Sequence, residues 1–178
     1  MNRIEIEIKL NKDRAWLLDA ISALPPDDLV RGATPSEHAP DTMWSAKDHL
    51  AHLAGIEKNF VSMIRRHRAG DPNPVALRTN PDGTARTMEQ VMAVVHQMTE
   101  RWVVEHRDKS LSQVVALGEE ARAETLALMA ELTDDQLAEK LPGAPWSDGT
   151  IGGVISVNAD HGRMHWQWTR EGLGVAAP

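Results

Sequence analysis

Cysteine is missing from this chain, which excludes disulfide bonds, thiolate metal ligands and a cysteine nucleophile. That composition fits a reducing cytoplasm, the compartment expected here. Tyrosine is missing too. The aromatic set is six Trp and one Phe, so eight Met take a share of the core. Positive charge is short: 19 Lys and Arg against 26 Asp and Glu give a net charge of −7. A chain this acidic lacks the basic surface that nucleic acid requires, and no nucleic-acid partner is expected. Arg65, Arg66, His67 and Arg68 form the one dense basic cluster, read as a solvated helix end where cations suit the macrodipole.

Long apolar runs are also lacking, and none approaches the ~20 residues of a membrane helix. The N-terminus, Met1 to Glu7, alternates charge with hydrophobe and carries no secretory h-region. No membrane partner is therefore expected. Walker, Rossmann and Ser-His-Asp patterns are absent, since Gly149, Gly152 and Gly153 do not follow a strand. What is present suits one domain over residues 1–178: 42% hydrophobic and 25% charged residues, enough for a real core. The tail from Gly172 to Pro178 is expected to fray.

The apolar spacing is helical nearly throughout. A first helix is expected from Ile6 or Lys12 to Leu24, with Leu10, Leu17, Ile21 and Leu24 on one stripe and Pro25-Pro26 as its stop. Ser45 reads as an N-cap with Asp48 as capping-box partner, opening a helix to about Arg68 with Leu53, Ile56, Phe60, Met63 and Ile64 inward. Thr87 opens a third helix, whose Met88, Val91, Val95, Met98 and Trp102 form a clean buried stripe. Ser110 opens a fourth helix to about Leu132, and Thr133 caps a short turn. The last helix runs from Gly149-Thr150 to about Arg170. Only Arg3–Leu10 alternates like a strand, and one strand makes no sheet. The expected fold is all-α, a bundle of four main helices with long connections. Trp44-Ser45 and Trp146-Ser147 each precede a histidine-bearing helix, a weak internal echo.

The histidines carry the chemistry. His161 and His165 are spaced i, i+4, so one helix presents both imidazoles on one face. That spacing lets one helix give two nitrogens to one metal ion. Ile151, Val154 and Trp168 mark the same stripe as buried, so Asn158, His161 and His165 need partners there. A third imidazole from the second helix would complete a three-ligand site with an open position. His49 and His52 are both candidates: periodicity puts His49 mid-stripe and His52 at its edge. His67 reads as a C-terminal helix histidine, and His38, His96 and His106 as surface residues.

The pattern Trp44-Ser45-x-x-x-x-Leu50-x-His52-Leu53 with a distant His161-x-x-x-His165 resembles the DinB-like superfamily of metal-binding four-helix bundles. That superfamily includes YfiT-like metal-dependent hydrolases, thiol-dependent S-transferases and maleylpyruvate isomerases. The resemblance covers nearly the whole chain and implies an up-up-down-down bundle, metal ligands at His52, His161 and His165, and a homodimer. It implies a divalent ion, zinc first and nickel or iron as alternatives. It further implies activation of water or a low-molecular-weight thiol against a small electrophilic substrate, in the manner of an S-transferase or hydrolase. The alternative is a non-catalytic metal-bearing stress-response or small-molecule binding protein. Direct action on DNA is suggested only by the superfamily's historical name. Asn158 is the expected partner of a free ring nitrogen, Glu57 and Asp160 are candidates for acid-base or orienting roles, and metal occupancy is expected to fall as pH drops toward ~6.

Overall fold

Hydrogen-bonding caps set where the helices of this chain begin. In the computed structural model, which describes residues 1–36, 38–80 and 82–176, nine elements follow one another: α1 (Arg3–Ser22), α2 (Pro26–Val30), β1 (Gly32–Pro35), β2 (Met43–Ser45), α3 (Ala46–Arg68), α4 (Met88–His106), α5 (Leu111–Ala130), α6 (Asp134–Ala138) and α7 (Ile151–Leu173). Ser45 accepts from the Asp48 amide while the Asp48 carboxylate accepts from the Ser45 amide. Thr87 with Gln90, Ser110 with Gln113 and Thr133 with Gln136 repeat the device, and Thr150 caps α7. The first four caps stand where the sequence places them, and the Thr150 cap falls where the last helix is expected to begin.

The first helix starts earlier than expected, because Asn2 and Glu5 form a further capping box. The strand-like alternation at Arg3–Leu10 is therefore helical. Of its isoleucines only Ile6 faces the core; Ile4 and Ile8 lie on the solvent side. Ile6, Leu10, Leu17 and Ile21 follow the spacing of one helix face, and that face is buried.

Cross-helix contacts fix the direction of each helix. Glu57, Lys58 and Arg68 of α3 meet Arg122, Glu124 and Glu131 of α5 in the same order, so these helices are parallel. Lys9 and Asp13 of α1 meet Asp160 and Arg163 of α7, likewise parallel. His49 and His52 of α3 meet His165 and His161 of α7 in reversed order, so the two pairs oppose each other. The bundle of α1, α3, α5 and α7 runs up-down-down-up rather than the expected up-up-down-down. The cause is α4, which returns along α3 (Trp102 reaches the Ala51 carbonyl, and Lys47 reaches the Arg107 carbonyl), so α5 starts where α3 started.

Two apolar clusters fill the bundle, one around Ile64, Leu128 and Ile155 and one around Leu17, Leu50 and Trp166. On α4 the expected stripe is only partly buried: Met88 is exposed, and Val95 and Met98 are half-buried. Val95 lines a cavity instead of core.

A strand pair is present that the sequence did not suggest. β1 and β2 are antiparallel, pairing Gly32 with Ser45, Thr34 with Trp44 and Pro35 with Met43. Three or four residues around a proline are too few to alternate visibly. β1 lies against the end of α7, where a Cβ on Gly172 would sit 1.8 Å from the Ala33 carbonyl oxygen. Gly172 and Leu173 are consequently helical rather than frayed, Leu173 is buried, and Gly174 ends the helix with φ 72°. Residues 177 and 178 of the expected tail lie outside the described residues. Among the described residues no helix is long and apolar enough to cross a membrane.

Candidate metal centre

The reversed crossing of α3 and α7 brings their histidines face to face. His52, His161 and His165 each offer one ring nitrogen, and these three atoms lie within 4.8 Å of one another. Ring centroids are 4.6 Å apart for His52 and His165, 5.3 Å for His52 and His161, and 4.5 Å for His161 and His165. The two α7 rings face each other through Nε2 atoms 2.9 Å apart.

The donor set fits a divalent transition metal. Three imidazoles are the borderline nitrogen ligands that zinc, nickel and iron accept. Neutral rings are needed, and burial supplies them. It pushes His161 down to about 4, and it holds His52 and His165 well below the ordinary histidine value, with help from the neighbouring imidazoles. The Nδ1 atoms of His52 and His161 are buried with no hydrogen-bond partner among the described residues.

His49 belongs to the same cluster, outside the three. Its Nδ1 lies 2.7 Å from Nδ1 of His165, and its Nε2 lies 2.9 Å from Thr34 Oγ1. Two nitrogens at that distance share one proton. For His165 to present an Nε2 lone pair, its proton must sit on Nδ1 and be donated to His49. His49 then carries its proton on Nε2 and donates to Thr34. Thr34 and His49 thus set both the tautomer and the orientation of His165. Asn158, expected in that role, does not fill it: its Nδ2 is buried without a partner.

Trp44 packs over the cluster, with ring centroids 5.4 Å from His49 and 5.2 Å from His52. Its indole N–H donates to Glu100 Oε2 at 2.9 Å, and the Ser36 hydroxyl donates to the same oxygen at 2.5 Å. Glu100, buried on α4, therefore ties the strand pair down over the histidines. Periodicity placed His49 mid-stripe, as an alternative to His52 for the third ligand rather than as the partner of His165. Thr34 and Glu100 carried no signal, because a strand pair this short leaves none and Glu100 looks like one more helix-face acid.

The remaining candidates are dispersed. Glu57 is neither solvated nor at the centre: it is buried and accepts from Arg122 of α5 at 2.6 and 3.3 Å. Asp160 is exposed and paired with Lys9 at 2.7 Å. His106 stacks on Trp102, with centroids 4.1 Å apart. His38 and His96, read as surface residues, both line the cavity described next. The basic cluster is neutralised, Arg65 and Arg68 on Glu131 and Arg66 on Asp71.

Two cavities border the centre along adjoining parts of the α7 surface. The larger, about 760 Å³, is bounded by α3, α4, α7 and β1 and includes His49, His52, His161 and His165 in its wall. The smaller, about 570 Å³, lies by the start of α7 and is more polar, with Lys9, Ser147, Asp148, Ser156 and Asp160. Val157, His161 and Met164 border both.

Solved structures of the same fold span the whole chain. An uncharacterised protein from Escherichia coli UTI89 superposes with a TM-score of 0.65 at 20% identity, covering 99% of this chain and 96% of its own. The colibactin self-resistance protein ClbS, solved in complex with a double-stranded DNA, gives 0.69 at 15% identity and coverages of 99% and 98%. A protein from Streptococcus pneumoniae gives 0.66 at 14% identity and coverages of 99% and 93%. No curated protein matches in sequence. The DinB superfamily model matches residues 9–169, a span that takes in all four helices of the bundle and every histidine of the cluster. By fold and by sequence, this chain belongs to the DinB superfamily.

Proposed function

We propose that this protein is a metal-dependent enzyme that activates water or a low-molecular-weight thiol against a small electrophilic substrate. The observation that carries the reading is the convergence of three neutral imidazoles in the wall of a large cavity. His52, His161 and His165 hold the ion, and His49 with Thr34 keeps His165 in its ligating tautomer. A divalent ion so held supplies Lewis acidity, which lowers the pKa of a bound water or thiol toward ~7. Because the protein has no cysteine, any thiol nucleophile comes from outside the chain. The two cavities that share His161 offer separate approaches for it and for the electrophile. The open approach favours catalysis over an ion that only staples helices.

A DNA-binding reading, raised by the complex of ClbS, has little to draw on here. The net charge is −7, and the one dense basic cluster is spent on Glu131 and Asp71.

The test is turnover across a panel of thiols and electrophiles with zinc-loaded protein, chelator-treated protein and His52→Ala. Activity that falls by about 100-fold or more in the last two supports the reading. Activity indifferent to both would end it. The positioning pair makes a separate prediction. His49→Leu is expected to bind zinc about 10–100-fold more weakly in a chelator competition. His49→Gln, which keeps a polar partner for His165, should recover part of the loss. Equal affinity in all three proteins would remove His49 from the account.

A further inference from the structure

Four of the chain's seven aromatic residues of the Phe and Trp classes line one cavity: Trp44, Phe60, Trp146 and Trp168. In a chain only 4% aromatic, that concentration is the strongest compositional feature of the fold. Trp146 meets Phe60 with ring centroids 4.8 Å apart, and Trp168 meets His165 at 5.0 Å. The Trp44 N–H is already taken by Glu100, so that indole presents carbon to the cavity. Ile56, Val95 and Val157 complete an apolar wall.

The charges are as informative. None of the 19 lysines and arginines lines this cavity. Among the described residues its one ionisable group other than histidine is Glu171, an acid. Behind the wall, Arg107 faces Asp48 and Glu100 at 3.7 and 3.8 Å, and Arg170 faces Glu171 at 3.9 Å. Without a bound ion, an anionic ligand would therefore leave water and gain no counter-charge from the side chains of this wall, a loss that apolar contacts do not repair. Lys9, by contrast, lines the smaller cavity.

We propose that the larger cavity takes an uncharged, ring-bearing apolar molecule, and that its side chains alone discriminate against carboxylate-, phosphate- and sulfonate-bearing ones. That molecule would be the electrophile, an identification that rests on the metal-centred reading, whereas the binding preference does not. Aromatic faces at centroid distances near 5 Å suit stacked or edge-on rings. The mouth carries Met92 and Met164, both partly exposed and able to adapt to different outlines. A volume of about 760 Å³ accommodates more than a single ring.

The experiment compares two probes of one shape, 2-naphthylmethanol and 2-naphthoate, by calorimetry at neutral pH. Both are titrated into zinc-loaded and metal-free protein. The neutral probe is expected to bind the metal-free protein at least about tenfold more tightly than the carboxylate. Met92→Lys, a change at an exposed lining position, is expected to tighten 2-naphthoate by about tenfold and leave 2-naphthylmethanol unchanged. Equal or tighter binding of the carboxylate by metal-free protein, no response to Met92→Lys, or no binding of either probe at millimolar concentration each overturns the proposal. Neutral-probe binding by a protein that turns nothing over supports the cavity assignment and counts only against the enzymatic reading.

Discussion

Metal-free protein moved from pH 7 to pH 5 is expected to lose several kcal/mol of stability. The cause is four imidazoles buried together. Burial, the largest influence on each, pushes His49 and His161 down to about 4, and it lowers His52 and His165 as well. Beside His49 the Asp48 carboxylate opposes the shift, and around His52 and His165 the other imidazoles add to it. An unfolded chain titrates its histidines near 6.5. Between pH 6.5 and about 4 the unfolded state therefore binds more protons than the folded one, so stability falls as pH falls. The slope is about 1.4 kcal/mol per pH unit for each histidine, or about 2 kcal/mol each at pH 5. His49 and His161 together thus remove about 4 kcal/mol of an ordinary folding free energy of about 5–15 kcal/mol, and His52 and His165 act in the same direction. Urea midpoints of chelator-treated protein at several pH values check this. A midpoint that stays level from pH 7 to 5 would show that the rings are not held neutral by burial. The same shifts revise the expectation that metal leaves as pH approaches ~6. Folded rings that protonate only nearer 4 keep their lone pairs further into acid, so ion release should begin below that point.

Glu57→Ala is expected to destabilise the protein by about 3–5 kcal/mol, because it strands a buried guanidinium. Glu57 and Arg122 join the middles of α3 and α5, with nitrogen–oxygen distances of 2.6 and 3.3 Å. Arg122 Nη1 already lacks a partner. A second guanidinium is close by: Arg14 of α1 occupies the space that a Cβ on Gly118 would need. Burial and the charge of Arg122 hold Arg14 below its usual value against the pull of Glu57. Removing this buried acid leaves like charges facing each other in a poorly solvated layer. The double variant Glu57→Leu with Arg122→Met should regain most of the loss, since an apolar pair of similar volume avoids the desolvation cost altogether. Chemical denaturation measures both proteins. A single-variant loss below about 1 kcal/mol would mean that the pair is far better hydrated than its burial indicates. Zinc affinity per folded molecule should be unaffected, which separates this structural role from the acid-base role considered from the sequence.

How much of this was legible in advance depends on how local the signal is. The N-caps at Ser45, Thr87, Ser110, Thr133 and Thr150 are written in three or four consecutive residues, and each opens the helix expected of it. The pairing of His161 with His165 is equally local. The up-down-down-up order was not legible, because it depends on where α4 lies in space. A helix of the same sequence packed on another face would have given the same periodicity. The strand pair was hidden by brevity, and with it Thr34 and the seat of Trp44. Val95 and Trp168 illustrate a different limit. Apolar spacing marks a face as inward, but it does not distinguish a face that packs from one that borders a cavity. The buried Glu57–Arg122 pair shows the converse, since a charged residue on a helix reads as solvated until a partner helix is seen to bring the opposite charge.

The measurement that bears most directly on the whole account is metal analysis combined with X-ray absorption of the zinc-loaded protein. One ion per chain is expected, with imidazole nitrogens as the dominant neighbours at about 2.0–2.1 Å, and the ion should be lost in His52→Ala and His165→Ala. Protein that takes up no stoichiometric ion, or variants that bind zinc as the parent does, would contradict the claim that His52, His161 and His165 share one cation.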